Sequence, residues 1–434
     1  MHAYFLKSVS HILDTWRASG RRSALNLWHS PSFSSLRTIN IPLLHELDCR
    51  LRQLPGPRIL IDGLWFSRPY GGVTRVWEQI LSTLSLDGFS SPLAPVAYLD
   101  RDTRLDPRPN LLSIQAPLLD PLNTHHLRTS TNSNGLLAKS WSADVFISSW
   151  MSFCTGPKLP IHVALVHDCI PERSNIASHD LLALRTSFFT SASARLCVSR
   201  NTLSDLRHFY PLPHSIDAWC HPCPLLPSHP PLQPSINHHL RRELSRKLPL
   251  HPRFILLPGT STIGSYKNPE VLARALSLPE LVHFGLIITG LNSSNYADHL
   301  TTSFPSLKGR TIALGLSNSE LPELYNLACA VVVPSRVEGF GLPVIEALTY
   351  NPFVIIADSP GLQESGGNSA LRFPPEDHDA LAALLMLVGD SNLRSWLHPV
   401  ISRRSHNHLS LLHRDFLALE LASLSRQAWI KNRI

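Results

Sequence analysis

The chain has 434 residues with 39 lysines and arginines against 32 aspartates and glutamates, which gives a net charge of +7. This length favours two domains of about 200 residues each, and 43% hydrophobic with 16% charged residues exclude a disordered polyelectrolyte. No apolar run reaches the roughly 18–20 residues of a membrane-spanning helix, and seven cysteines, an odd number, favour reduced thiols over a disulfide framework.

Residues 1–57 form a basic extension before the first strand. Apolar residues recur there at helical spacing, with Lys7, Arg17 and Arg21 off the stripe. We expect this stripe to pack on the body of the protein, with an anionic membrane surface as the alternative. The segment has no small-residue cleavage site, and polar residues interrupt each apolar stretch, so no secretory signal is expected.

From Arg58 onward, short buried strands alternate with helices. The first strand, 58–63, is followed at 69–84 by a glycine turn and an amphipathic helix. Further strands are predicted at 96–99, 144–148, 161–166, 195–199 and about 215–220. Such alternation implies a parallel sheet with helical crossovers, and hence a Rossmann-like domain over 58–220. No element is predicted within 101–142, which is rich in Asn, Ser and Pro.

A proline-rich stretch separates this series from a second one. Residues 211–252 hold ten of the 36 prolines, and because proline lacks an amide proton, a linker is predicted at 221–252. The second series, 253–404, has predicted strands at 254–258, 285–290, 311–314, 330–334, 353–357 and 370–373. Residues 405–434 are predicted to form a C-terminal helix. The fold class is therefore α/β, with two doubly wound parallel-sheet domains facing each other across a ligand-binding cleft.

The segment after the strand ending at Pro334 carries the most chemistry. Glu338-Gly339-Phe340-Gly341-Leu342-Pro343 leads into a helix that contains Glu346. Gly339 and Gly341 allow a ligand to approach the backbone closely, and free amides at a helix start favour an anion such as a diphosphate. Glu338 on the loop and Glu346 on the helix can contact different parts of one extended molecule.

A lysine marks a second candidate site near the start of the second series. The strand there ends in Gly259, and Lys267 precedes Asn268-Pro269 and an amphipathic helix. A lysine beside a strand-end cleft is suited to neutralising a leaving diphosphate. The plain alternative is a lysine in a solvated loop.

Three motifs of the first domain are less specific. Gly71-Gly72-Val73-Thr74-Arg75 joins a strand to a helix, as a simple turn or as a loop facing a ligand. His167-Asp168 ends a buried strand, where such a pair is either structural or part of a site. Cys220-His221-Pro222-Cys223 looks like half a zinc site, but no second ligand pair exists and no histidine spacing suits a metal, so no metal is predicted.

The 330–358 segment resembles the donor-site signature of the retaining GT-B glycosyltransferases of family 4. The matching residues are Glu338 to Pro343 and Glu346. The resemblance covers roughly 58–400, most strongly in the second half, and is greatest to bacterial mannosyltransferase-type enzymes of O-antigen and exopolysaccharide assembly. It implies that Glu338 lies against the donor sugar and that Glu346 holds the ribose hydroxyls of the nucleotide.

The same resemblance assigns other residues to substrates. Lys267 would contact the diphosphate, the loop at Gly72 would face the donor phosphate, and His167, with Asp168, would face the transferred sugar. Family members usually carry an arginine shortly before that lysine, and Thr260–Tyr266 has none. Diphosphate binding would then rest on Lys267 and backbone amides, or on Arg75 or Arg336. Ser199 and Arg200 are expected at the edge of the acceptor side.

The sequence therefore predicts a retaining, metal-independent hexosyltransferase of the cytoplasm, with peripheral contact at the inner membrane face as an option. It would use no cofactor and would move a hexose, with mannose from GDP-mannose favoured, from a nucleotide diphosphate sugar to a saccharide or lipid-linked acceptor in cell-surface polysaccharide synthesis. Alternatives are another GT-B enzyme, such as a phosphorylase or an epimerase, and a non-catalytic sugar-nucleotide-binding partner. Nucleic acid is not an expected partner, because no basic cluster has the aromatics of a nucleic-acid arm.

Overall fold

A computed structural model gives the arrangement of most of the chain. It describes residues 57–68, 71–85, 96–101, 111–155, 159–174, 177–222, 253–259, 266–316, 320–412 and 416–432, with residues 242, 244 and 246. The basic extension up to residue 56, most of the predicted linker and the arginine-free loop at 260–265 lie outside the described residues.

The first domain is built on a seven-stranded sheet in which every pair of neighbours is parallel. Its spatial order is β3-β2-β1-β4-β5-β6-β7, with strands β1 (Ile59–Asp62), β2 (Val96–Asp100), β3 (Leu112–Gln115), β4 (Val145–Ser148), β5 (Ile161–Val166), β6 (Ala194–Cys197) and β7 (Ile216–Trp219). The helices are α1 (Gly72–Ser85), α2 (Thr124–Thr129), α3 (Thr131–Ser140), α4 (Ile170–Ser174), α5 (His179–Thr190) and α6 (Arg200–Phe209).

Alternating side chains of β5 explain why helices cover this sheet on both faces. Val163 and Leu165 belong to the same buried cluster as Trp77 of α1. Ala164 and Val166 instead pack with the cluster that contains Phe188 of α5. Successive strand residues point to opposite faces, so a continuous apolar run demands cover on both sides.

The second domain is a six-stranded parallel sheet. Its order is β10-β9-β8-β11-β12-β13, with strands β8 (Phe254–Leu257), β9 (Gly285–Thr289), β10 (Thr311–Leu314), β11 (Ala330–Val333), β12 (Val354–Ala357) and β13 (Leu371–Phe373). Its helices among the described residues are α7 (Pro269–Leu276), α8 (Ser293–Ser303), α9 (Leu321–Leu327), α10 (Leu342–Tyr350), α11 (Pro360–Gly366), α12 (His378–Gly389) and α13 (Ser391–Ser410), and helix α14 (Phe416–Lys431) follows them in the chain. The predicted two-domain α/β class is confirmed.

The stretch without a predicted element contains, in its described part at 111–142, one strand and two helices. Strand β3 is an edge strand, and three of its four residues are exposed. Helix α3 carries a glycine, Gly135, in its middle, and added there a Cβ would lie 1.8 Å from the carbonyl oxygen of Thr155. The mostly exposed strand and the glycine-containing helix both lack the apolar periodicity by which the other elements were predicted.

The C-terminal stretch of the chain returns to the first domain. Residues 405–410 complete α13, and α14 is a separate helix whose Leu417, Leu421 and Leu424 pack in the core of the first domain. Their spacing of three and four residues places them on one face of the helix. Lys431 Nζ donates to the His214 carbonyl oxygen at 2.7 Å. The single predicted C-terminal helix is thus divided into two.

Truncation of this apolar face should be costly. We expect Leu421→Ala to lower the free energy of unfolding by about 2–5 kcal/mol, because Leu421 is 2% exposed and its loss leaves a cavity. Urea unfolding would measure the change. Leu411→Ala, at a leucine that is 71% exposed, is the control and should change it by less than ~0.5 kcal/mol. Equal effects of the two variants would contradict this packing.

Candidate active site

A cavity of about 420 Å³ lies between the two domains, at the carboxyl ends of their strands. The predicted residues that line it are Gly72, Arg75, His167, Asp168, Gly259, Lys267, Glu338, Gly339, Phe340, Gly341 and Leu342. Residues from both domains thus meet at one place, as ligand-binding α/β sheets do at their strand ends. Trp65, Arg68 and Tyr266 also line the cavity, and no role was predicted for them.

An acid–lysine pair forms the second-domain wall of the cavity. Lys267 Nζ lies 2.7 Å from Glu338 Oε1, and both side chains are largely buried. Burial acts to lower the pKa of Lys267, but the attraction of Glu338 outweighs it and the pKa is raised. The lysine therefore stays charged at neutral pH.

Tyr266 stands beside this pair. Lys267 Nζ lies 5.0 Å from the centre of its ring, and burial raises the pKa of the Tyr266 phenol to about 12. The phenol consequently keeps its proton at neutral pH and can donate a hydrogen bond into the cavity. An aromatic residue directly before the lysine was the only signal for it in the sequence.

The second glutamate lies on α10, behind the cavity wall. Arg75 of the first domain forms an ion pair with Glu346, and Tyr325 Oη donates to Glu346 Oε2 at 3.2 Å. Gly341, with φ of +96°, precedes the helix in a left-handed conformation that glycine adopts without strain. Arg75 lines the cavity and also joins the first domain to the second through its ion pair with Glu346. Arg336, the other candidate, instead pairs with Glu376 at 2.5 Å and is not among the residues that line the cavity.

His167 and Asp168 follow β5 and form the first-domain wall. Within the described residues His167 Nε2 is buried without a hydrogen-bond partner, and burial lowers the pKa of His167 to about 3. Asp168 Oδ1 accepts from the Ile170 amide at 3.1 Å, while burial raises the pKa of Asp168. A neutral imidazole and an acid with a raised pKa thus face the same space as the Lys267–Glu338 pair.

The neutral state of His167 has a pH signature. Because its folded pKa lies below the usual 6.5, the unfolded chain binds the proton more readily, and stability falls as the pH drops from about 6.5 toward 3. Wild type should therefore lose more unfolding free energy between pH 7 and pH 5 than His167→Gln, measured by urea unfolding. The exposed His406 supplies the control: His406→Gln should leave the pH difference unchanged. An equal pH difference in wild type and His167→Gln would refute the assignment.

The loop before α10 is held by the start of α6. Ser199 Oγ and Thr202 Oγ1 both donate to the carbonyl oxygen of Gly339, the latter at 3.0 Å. A Cβ added at Gly339 would lie 2.0 Å from the His167 carbonyl oxygen, so only glycine fits. Ser199 is fully buried in this contact and is not among the residues that line the cavity, so the structure gives its predicted place at the acceptor edge no support.

The Cys-His-Pro-Cys motif serves an interdomain contact. His221 Nε2 lies 3.0 Å from Glu364 Oε2, and its ring stacks on Phe340 with the ring centres 4.8 Å apart. Cys220 is buried and, like the other described cysteines, forms no disulfide within the described residues, and Cys223 lies outside them. Among the described residues no three His, Cys, Asp or Glu side chains are grouped to hold a metal ion. Within those same ranges, no helix combines the length and apolarity needed to cross a bilayer.

Comparison with known proteins connects this site to a family. Residues 241–395 match the family model described as glycosyl transferases group 1. A 62-residue segment is 47% identical to the O-antigen chain mannosyltransferase RfbU of Salmonella typhimurium. That segment is 14% of this chain and 18% of the relative, so less than a fifth of the relative's length is matched.

Solved structures match over most of the chain. WaaG, a glycosyltransferase involved in lipopolysaccharide biosynthesis, superposes with a TM-score of 0.64 at 18% identity, over 84% of this chain and 99% of WaaG. The Anabaena protein HepE, solved with UDP-glucose, gives 0.59 at 14% identity, over 87% and 99%. At these identities the likeness concerns the fold. By its two parallel-sheet domains the chain has the GT-B architecture of these solved structures, and its second domain is similar to glycosyl transferases group 1.

Proposed function

We propose that the chain is a retaining glycosyltransferase that needs no metal ion and transfers a hexose from a nucleotide diphosphate sugar. The observation that carries the proposal is the charged Lys267 paired with Glu338 in the interdomain cavity, beside the start of α10. Glu346 lies in the same helix, α10, and would hold the ribose hydroxyls of the nucleotide. The segment that matches a mannosyltransferase supports the transferase class.

Charge development explains what each group would do. As the glycosidic bond to phosphate lengthens, negative charge grows on the diphosphate and positive charge on the anomeric carbon. Lys267, the amides at the start of α10 and the phenol of Tyr266 would stabilise the diphosphate, since such donors need no reorganisation during the reaction. In a same-face attack, the acceptor hydroxyl would bond to the anomeric carbon and pass its proton to the leaving phosphate.

Neither His167 nor Asp168 would act as a base at neutral pH in this scheme. Burial lowers the pKa of His167, which makes its imidazole a weak proton acceptor, and the raised pKa of Asp168 disfavours its charged form. Both groups would instead hydrogen bond hydroxyls of the transferred hexose. Closure of the two domains over the donor would exclude water and limit hydrolysis.

The acceptor would enter along the first domain. Trp65 lines the cavity, and its ring is backed by Trp150 with the ring centres 4.2 Å apart. A supported indole face suits stacking on a sugar ring, and Arg68 adds a cation at the same wall. These features favour a saccharide acceptor, soluble or lipid-linked, in cell-surface polysaccharide synthesis. A lipid-linked acceptor would require peripheral contact with a membrane.

A donor screen tests the proposal. We expect GDP-mannose to raise the melting temperature more than UDP-glucose or ADP-glucose, because the matched relative is a mannosyltransferase; at 100 times its dissociation constant a ligand adds about 2.7 kcal/mol. Stabilisation by the nucleotide sugar should weaken in Glu346→Gln.

Nuclear magnetic resonance of the product should show the donor's anomeric configuration, and EDTA should leave transfer unchanged. Failure of all three nucleotide sugars to stabilise the protein would refute donor binding.

A further inference from the structure

Glu364 of α11, in the second domain, is hydrogen bonded to the first domain. Its Oε2 accepts from the Arg200 amide at 3.0 Å and its Oε1 from the Asn201 amide at 2.6 Å. His221 Nε2 lies 3.0 Å from Oε2. The carboxylate therefore makes three polar contacts with residues outside its own domain, and it is not among the residues that line the cavity.

The contacted amides belong to the first turn of α6. Amides in a first turn have no partner within the helix, and the positive end of the helix dipole attracts an anion. Ser199 satisfies the Thr202 amide at 2.9 Å from its own domain. Glu364 satisfies the two preceding amides, so the cap of this helix is completed by the opposite domain.

The same helix start holds the loop of the donor site. Ser199 and Thr202 bond the Gly339 carbonyl, and Asn201 Nδ2 donates to the Glu338 carbonyl oxygen at 3.4 Å. On the other side of the loop, a Cβ added at Gly361 would lie 2.1 Å from that same Glu338 oxygen. The loop is thus enclosed by α6 and α11, and Glu364 joins these two helices.

The carboxylate of Glu364 is kept in its charged form. Burial acts to raise its pKa, but the hydrogen bonds from His221 and from the two amides outweigh burial and lower the pKa below its usual value. Its side chain is 17% exposed. A charged acceptor of this kind makes stronger hydrogen bonds than a neutral one.

We propose that Glu364 is a positioning residue that latches the two domains together, so that the loop at Glu338 reaches its working geometry only in the docked state. The latch is a statement about domain docking, and its effect on sugar transfer rests on the proposed function. Breaking it should release the loop without unfolding either domain.

Two variants of the full chain test the latch without an activity assay. Glu364→Ala removes all three contacts, and Glu364→Gln keeps the side-chain size but removes the charge. We expect the radius of gyration, from small-angle X-ray scattering, to increase in Glu364→Ala. Hydrogen exchange should become at least ~10-fold faster at the amides of 338–342 and 200–202, because local opening becomes easier. Glu364→Gln should show the same changes to a smaller extent.

Glu280→Gln is the matched control. Glu280 is exposed in the same domain and precedes β9, at the amino ends of the strands, away from the cavity. It should change neither scattering nor exchange. Wild-type values in both Glu364 variants would overturn the proposal, as would unfolding of Glu364→Ala combined with wild-type exchange in Glu364→Gln.

The consequence for activity is measured separately. With GDP-mannose as donor, Glu364→Ala should lower kcat for transfer at least tenfold while the dissociation constant for GDP-mannose changes less than threefold. An equal loss in binding and turnover would overturn the positioning role. If wild type transfers no sugar while the scattering and exchange changes occur, the proposed function fails and the latch stands.

Discussion

Lys267→Met is expected to lower kcat for sugar transfer by about 10²–10³-fold, an activation cost of roughly 3–4 kcal/mol. The substitution removes the charge that would stabilise the leaving diphosphate. It also leaves Glu338, which is 8% exposed, without its cation in a buried position. Initial rates with labelled GDP-mannose would measure the effect, and calorimetry would separate it from donor binding.

Lys308→Met provides the matched control for that measurement. Lys308 is exposed in the second domain, in the segment before β10 and far from the strand ends that form the cavity. Its replacement removes the same charge from the chain and should leave kcat within twofold of wild type. Comparable kcat values for Lys267→Met and Lys308→Met would show that the Lys267 charge takes no part in transfer.

Gly339→Ala should reduce kcat/KM for transfer at least ~100-fold through geometry alone. The new Cβ would lie 2.0 Å from the His167 carbonyl oxygen and 3.0 Å from Asp168 Cβ, so the loop and the first-domain wall could not both keep their positions. Separation of the domains relieves the clash. We therefore expect a larger radius of gyration and a loss of about 1–3 kcal/mol in unfolding free energy.

Gly315→Ala controls for the added methyl group. A Cβ at Gly315 meets no atom within 4 Å, so activity, scattering and stability should match wild type. Retention of full activity by Gly339→Ala would mean that the closed arrangement of loop and wall is not the one in which transfer occurs. Catalytic loss without any change in scattering would place the defect within the loop itself.

The strands of the inner sheets could be predicted because burial on both faces requires runs of β-branched and aliphatic residues. Ala330–Val333 and Val354–Ala357 are such runs, and each was predicted to within one residue. Edge strand β3 could not be predicted in this way. Three of its four residues face solvent, and its position is set by pairing with Ala97–Asp100 of β2.

The same distinction applies to the site. Glu338, Lys267 and His167 each end a strand or precede a helix, so local sequence marks them. Arg75 was predicted to lie at the cavity, but its contact with Glu346 was not predicted, because 271 positions separate the two residues in the sequence. Glu364 had no predicted role, since its partners lie on α6 and at the end of β7, in the other domain. A contact between two domains produces no apolar periodicity in either of the sequence segments that form it.

The position of α14 limits how the domains can move. The chain leaves the first domain after Trp219 and comes back to it between Ser410 and Phe416, so two separate crossings connect the domains. Two tethers oppose free sliding and leave rotation about the line through them as the easy motion. Opening and closing should therefore be a rotation of one domain about this line. Removal of α14 would leave the two domains joined by a single connection.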